Sequence, residues 1–326
     1  MVDRCELAGH GAGVTRPEVC VVVVTYNSAE WVDRCMRALV VDAEPTIATE
    51  VIVVDNGSGE ETLDVLRRWS SSVRLHLAGE NLGFARACNL AAGMSDARCI
   101  VLVNPDAVIR PGCIEALVTA LADHPDAGLV GGRTVRPDGV VDPKSCWGRP
   151  TLWSWFCFAT GLSTLFRRSR VFDPESLGTW DRGTPREVGI VSGCLLAAER
   201  STWQMLDGFD ERYFMYGEDA DLCIRASAMG FRPRITPAAV AMHAVGASSA
   251  NRASKNRLLM TGKATLARTL WSPGRARIGV ALLLVGTAVR ALGEFVRRST
   301  APSWTPLLRE RSWTHGWTST RQRTAE

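Results

Sequence analysis

The stretch VCVVVVTYN, residues 19–27, decides how the chain is read. Six consecutive apolar residues, most of them β-branched, end abruptly in Thr25, Tyr26 and Asn27. A surface strand would alternate apolar and polar side chains, so an uninterrupted run marks a strand covered on both faces. EVIVVDNGS (50–58) repeats the design, closing on Asp55, Asn56, Gly57 and Ser58. CIVLVNPDAVI (99–109) reads as a third long buried strand, carrying Asn104, Pro105 and Asp106. Between these runs lie helical stretches at about 30–40 and through Leu63 and Trp69, a short strand at 73–77, and a glycine-bearing turn entering a helix at 79–93. Strands and helices alternating at these lengths predict βαβ units, and hence an α/β fold with a mostly parallel central sheet flanked by helices.

In such sheets ligands bind beyond the carboxyl ends of the strands. Three runs deliver polar clusters to that edge, which makes a site there a stronger reading than three unrelated turns. No GxGxxG follows the first strand and no GxxxxGK[ST] occurs, which argues against dinucleotide oxidoreductases and P-loop NTPases.

The totals suit a folded protein of one large or two small domains: 326 residues, 46% apolar and 22% charged. The net charge of +4 conceals an asymmetry, because the part from Asn251 onward holds 14 Lys and Arg against 3 Asp and Glu. An acidic body with a basic tail points to an anionic surface as a partner of the tail. No nucleic-acid module is recognisable. Ten cysteines without a CxxC or a zinc-ligand spacing read as buried thiols in a reducing compartment, and MVDRCELAGHGAG is no secretory signal. These features predict a cytoplasmic protein.

The segment YFMYGEDADLCIRASAMGF (213–231) sets three acids at the mouth of a helix. Acids at a helix start satisfy free N–H groups and the macrodipole, which is reason enough for some of them. On the helical wheel, Leu222, Ala226 and Met229 define the buried stripe. Asp219 falls on the same side, Glu218 falls at its edge, and Asp221 points towards Arg225 and solvent. An inward acid is costly unless it is used, so Asp219 is the functional candidate and Asp221 the structural one.

Taken in order, VVVVTYN, VIVVDNGS, NLGFARACN, VLVNPDA, SGCLLAAER, GFDERYFMYGEDADLCIRASAMG and MHAVGASS resemble family 2 glycosyltransferases of the Rossmann-like GT-A fold, closest to the bacterial rhamnosyltransferase-like branch. The resemblance spans residues 19–249. It implies a catalytic domain over 18–249, with a nucleotide-binding half to about 140 and an acceptor half after it. Thr25, Tyr26, Asn27 and Asp55 would hold the base, where a fixed carboxylate selects a pyrimidine carrying an N–H. Asn81, Gly83 and Arg86 would line the nucleotide, although Arg86 also fits a plain surface arginine. The family's Asp-x-Asp metal motif reads Asn104-Pro105-Asp106 here, leaving Asp106 as the one carboxylate for Mg2+ or Mn2+. His243 is either its partner or a hydrogen-bonded strand-end histidine. Asp219 would be the base that inverting transfer needs, with Glu218 orienting the acceptor. The implied donor is a nucleotide sugar, most simply dTDP-L-rhamnose, with a UDP-hexose or UDP-N-acetylhexosamine as the alternative. The acceptor would be a polyprenyl-diphosphate-linked sugar or another cell-envelope glycan. A non-catalytic nucleotide-sugar-binding protein is the reading from another class, favoured only by the missing first acid.

Residues 250–298 predict a basic helical extension. Within it, IGVALLLVGTAVRALGEFV (278–296) falls short of the roughly 20 uninterrupted apolar residues of a span. Gly279, Gly286, Arg290, Glu294 and Arg297 share one face and the large apolar residues share the other. Such a helix suits an anionic bilayer, or packing on the catalytic domain or a second subunit. The aromatic stretch from Trp147 ends at Arg167, Arg168 and Arg170 and carries the same ambiguity. A peripheral location at the inner face of the plasma membrane is the expectation, with oligomerisation left open. Residues 1–17 and 299–326 are expected to be mobile.

Overall fold

The computed structural model describes residues 17–43, 45–244 and 251–317. The chain runs β1 (Val19–Thr25), α1 (Ala29–Arg37), β2 (Thr49–Asp55), α2 (Glu60–Trp69), β3 (Arg74–Leu77), α3 (Phe84–Gly93), β4 (Cys99–Val103) and β5 (Ala107–Ile109). It continues through α4 (Cys113–Asp123), β6 (Leu129–Val135), β7 (Cys146–Trp147), α5 (Leu152–Thr160), α6 (Leu162–Leu165), β8 (Arg186–Glu187), β9 (Ile190–Val191) and β10 (Leu195–Glu199). Then come α7 (Arg200–Met205), α8 (Glu218–Ala228), β11 (Arg234–His243), α9 (Arg252–Leu270), α10 (Pro273–Val296) and α11 (Thr305–Arg309).

The main sheet has the order β3-β2-β1-β4-β10-β6-β11-β5, with β8 added beside β11. Every residue of β1 and of β4 is buried, as their unbroken apolar runs require. The period of two divides β1 between two cores. Val19, Val21 and Val23 pack towards α1, α2 and α4, while Cys20, Val22 and Val24 pack towards α3, α7 and α8. The nine described cysteines are free buried thiols.

Three expectations change at this level. The sheet is parallel from β3 to β4 but mixed beyond it, because β10 runs antiparallel to both β4 and β6. β10 is entered from a loop, Ser192–Cys194, that sits at the carboxyl end of β4, where Asn104 N–H donates to the Cys194 carbonyl over 2.9 Å. A strand begun at that edge can only run back. The same insertion interleaves the two proposed halves, so residue 140 is no spatial boundary. The run 99–109 is also two strands. Asn104-Pro105-Asp106 turns the chain, and β5 pairs antiparallel with β11 instead.

The mobile tail expected from residue 299 is ordered as far as the description reaches. Leu307 and Trp313 are buried with Trp155, Met260, Ala276 and Leu283 in a third core. The Trp313 indole donates to the Leu307 carbonyl at 2.9 Å. Trp317 N–H donates to Thr265 Oγ1 at 2.7 Å. Two tryptophans supply enough apolar area to hold a short segment down. Residues 1–16 and 318–326 lie outside the described residues.

Candidate active site

The carboxyl ends of β1, β2 and β4 and the entry to α8 converge as the sequence suggested, but their residues divide into frame and contact groups. Asn27 belongs to the frame. Its N–H donates to Ser58 Oγ and its side-chain oxygen accepts from Gly59 N–H, each at 2.9 Å, tying the β1 loop to the β2 loop. Thr25 is fully buried and its hydroxyl pairs with Ser28 at 2.6 Å. Tyr26, 46% exposed, offers its ring to a ligand.

Asp55 is 1% exposed, and its two oxygens have different occupations. Oδ2 accepts from Gly57 N–H at 3.1 Å and Ser58 N–H at 3.0 Å. Oδ1 is buried without a hydrogen-bond partner. A buried carboxylate oxygen left open in this way is the acceptor that a base N–H would complete.

The segment around NLGF also serves the frame. Asn81 Oδ1 accepts from Gly83 N–H at 3.1 Å, and Asn56 Nδ2 donates to the Gly83 carbonyl at 3.2 Å. Gly83 has a φ of +82°, and a Cβ there would stand 2.5 Å from the Phe214 carbonyl oxygen. That carbonyl accepts from Phe84 N–H at 2.7 Å. The glycine is therefore required for close passage of the chain leading to α8. Arg86 stands exposed on α3.

α8 begins at Gly217, whose φ of +103° makes the sharp entry. Asp219 Oδ2 accepts from Gly193 N–H at 3.2 Å and Oδ1 accepts from Ala220 N–H at 2.8 Å. Burial pushes its carboxyl up to about 6, against the pull of those N–H groups. Beside it, Glu218 is 5% exposed, and its Oε2 is buried without a partner. Burial first, then the charges of Asp219 and Asp221, push Glu218 well above its usual range. Both carboxyls are thus raised above the ordinary carboxylate range.

Asp221 corrects the helical-wheel reading. It is 1% exposed and does not face solvent. It accepts from Arg225 Nε at 2.7 Å, and Arg225 in turn donates to the carbonyls of Leu206 and Gly208. The arginine is drawn inward to close the chain ahead of α8, and the acid follows it. Met229 lies beyond the end of α8 and is 54% exposed, so it is not part of the buried stripe.

The second cluster joins residues distant in sequence. The pairing of His243 with Ala107 across β11 and β5 places the imidazole beside the β4 turn. His243 Nε2 lies 3.2 Å from Asp106 Oδ1, and His243 Nδ1 lies 3.8 Å from Asp142 Oδ2. Asp142 carried no signal in the sequence, since its partner is about a hundred residues away. Burial works against protonation of His243, yet Cys194, Asp106 and Asp142 around it push the imidazole up. Tyr216 links the two clusters. Burial and the charges of Glu218 and Asp106 push its phenol up.

Among the described residues no group of three or more His, Cys, Asp or Glu is arranged to hold an ion. Asp106 and His243 would hold two adjacent positions of an octahedral ion only once the ion displaces the imidazole proton that their pairing favours. Bonds of about 2.1 Å put neighbouring ligand atoms ~3.0 Å apart, against the 3.2 Å between these atoms. Diphosphate oxygens and water would fill the remainder.

Comparison with known proteins identifies the family and the fold. The family model for glycosyl transferase family 2 matches residues 20–178. An N-acetylglucosaminyl-diphospho-decaprenol L-rhamnosyltransferase of Mycobacterium tuberculosis is 32% identical over 241 residues, covering 68% of this chain and 75% of the relative. Among solved structures, a mannosyltransferase of Pyrobaculum calidifontis in complex with GDP-Man and Mn2+ superposes with a TM-score of 0.54 at 22% identity, covering 92% of this chain and 84% of that one. GalNAc-T7 with UDP, GalNAc and Mn2+ gives a TM-score of 0.59 at 13% identity, over 91% of this chain and 57% of that one. Both likenesses establish the GT-A fold. The chain is a glycosyltransferase and belongs to glycosyltransferase family 2.

Proposed function

We propose that the chain is an inverting rhamnosyltransferase. It would move L-rhamnose from dTDP-L-rhamnose to a polyprenyl-diphosphate-linked glycan of the cell envelope, at the cytoplasmic face of the plasma membrane. The transferred sugar and the acceptor class follow the name of the mycobacterial relative, and the open Asp55 oxygen suits a thymine carrier. The chemistry rests on one observation: Asp219 is held by two backbone N–H groups at a helix start, with its carboxyl raised to about 6.

A general base works best with a pKa near the operating pH. In the proposed reaction the acceptor hydroxyl attacks the anomeric carbon from the face opposite the diphosphate. As the new C–O bond forms, Asp219 takes the hydroxyl proton and the bond to the diphosphate breaks, releasing dTDP. Glu218, whose Oε2 is buried without a partner, orients the acceptor. Tyr26 stacks on the base, and Asp55 Oδ1 accepts its N–H. Asp106, with His243 in its neutral form, would hold a divalent cation, Mg2+ or Mn2+, which would supply neutralisation of the leaving diphosphate.

Asp55 supports a UDP-sugar equally well, because uracil and thymine present the same N–H. The deciding test is turnover of a panel of dTDP-, UDP- and GDP-sugars with membrane extract as acceptor source, with and without the ion. Ion-dependent consumption of dTDP-rhamnose is the expected result. Turnover of a UDP-sugar alone would replace the donor and keep the mechanism. Tight binding of a nucleotide sugar without any turnover would instead favour a non-catalytic protein.

A further inference from the structure

α10 is built with its small side chains turned inward. Ala276, Gly279, Leu283, Gly286, Thr287 and Ala291 are its buried residues. A Cβ on Gly279 would stand 2.6 Å from the Trp271 ring and 2.8 Å from that of Trp155, and one on Gly286 would enter the Phe158 ring. The polar residues of the helix interior are turned inward too. Arg290 lies over the Phe158 ring, 3.6 Å from its centroid, and donates to the Phe158 carbonyl. Glu294, the sole acid of the helix, accepts from the backbone N–H groups of Ser303, Trp304 and Thr305.

The opposite face consists of Ile278, Ala281, Val285, Val289, Leu292 and Val296, all exposed and spaced by three or four residues. Phe295 beside them is 80% exposed. At 1.5 Å per residue this stripe runs for about 27 Å without a polar side chain. A helix of a soluble domain presents the reverse order, with its polar face outward. Arg275 and Arg277 stand exposed at one end of the stripe, and Arg297 and Arg298 at the other. The helix packed against it, α5, exposes Trp153 and Phe156 and leads into exposed Leu165, Phe166, Arg167 and Arg168.

By length and composition α10 could cross a membrane, with a mean hydropathy of 1.7 in its most apolar window. Its glycine face is occupied by α5, however, so lipid cannot surround it.

We propose that α10 lies flat in the headgroup region of an anionic bilayer. Its Ile278–Val296 stripe enters the acyl boundary, and the arginines at both ends pair with lipid phosphates. The occupant is inferred from charge: the exposed ionic groups at the two ends of the stripe, Arg275, Arg277, Arg297 and Arg298, are all cationic. The inference deepens the lipid-linked acceptor reading and rests on it, since docking there would bring the active site to a membrane-bound substrate.

The test is flotation of the full chain with phosphatidylcholine vesicles, with and without phosphatidylglycerol. Val285→Glu/Leu292→Glu is the comparison, because both side chains are already exposed and the fold should tolerate the change. The wild type should float with the anionic vesicles and lose that binding in high salt. The double variant should bind at least about tenfold more weakly and hydrolyse the donor at the wild-type rate. Failure of the wild type to float, or equal binding by the variant, would overturn the proposal. So would a wild-type dimer that the double substitution dissociates, since a second copy would then cover the face. Donor turnover without flotation would sink this inference alone, and flotation without turnover would sink the donor reading alone.

Discussion

At the carboxyl edge of the sheet, carboxylates are buried and the apolar side chains lie packed beneath them. Along α10, two glycines are buried, Arg290 is turned inward, and large apolar side chains stand outside. Each region sets groups against the ordinary preference of water. Around Asp55, Asp219 and Glu218 the misplaced groups are acids with open acceptors or raised pKa values, which an incoming ligand or proton would satisfy. On α10 they are apolar side chains, which only another apolar phase would satisfy. The kind of misplaced group matches the kind of partner proposed for each region, a polar small molecule in one place and a lipid surface in the other.

Four substitutions break or sharpen that contrast at the sheet edge. Asp219→Asn should have the largest effect. It keeps an oxygen for Gly193 N–H but removes the base, so transfer should fall by roughly 10^2- to 10^4-fold while donor affinity, read by calorimetry, stays within a few-fold. Asp55→Asn should come next. The amide can still cap Gly57 and Ser58, but it turns an NH2 towards the base N–H. KM for the donor should rise about ten- to hundredfold, with a smaller change in kcat.

Gly262→Ala tests whether α9 positions the site without touching it. A Cβ there would overlap the Tyr216 carbonyl, immediately before the entry to α8. Transfer should drop by several-fold and the thermal midpoint should fall, whereas vesicle binding through α10 should not change.

The smallest effect concerns stability. Burial raises the folded-state carboxyls of Glu218 and Asp219, so each contributes stability fully below its unfolded value and loses it as pH rises through the folded value. Glu218→Gln should therefore raise Tm by a few degrees at about pH 8, and the gain should shrink towards about pH 4. A scan showing the opposite pH trend would mean that Glu218 is stabilised as an anion.

The sequence carried the parts of this site that depend on local periodicity. Unbroken apolar runs mark β1, β2 and β4, and their polar ends share one edge of the sheet. Helical spacing singled out Asp219, but Glu218 and Asp221 beside it are the more deeply buried acids. Features that depend on a distant partner were silent. β5 is a separate strand because it pairs with β11, and Asp142 matters because β11 ends at His243. Asp221 was misplaced because Arg225 is pulled in by the carbonyls of Leu206 and Gly208, which no pattern in α8 announces. The wheel divided α10 into the right two faces. Which of them the protein covers was decided by Trp155, Phe158 and Trp271, on other elements.

The central claim is that Asp219 is the base of sugar transfer, and a pH–rate profile tests it most directly. Transfer at saturating donor and ion should fall on acidification with an inflection near the raised value of about 6, because the carboxylate must be free to take the proton. The residual rate of Asp219→Asn should lack that inflection. A wild-type profile flat through this range, or the same inflection surviving in Asp219→Asn, would contradict the assignment.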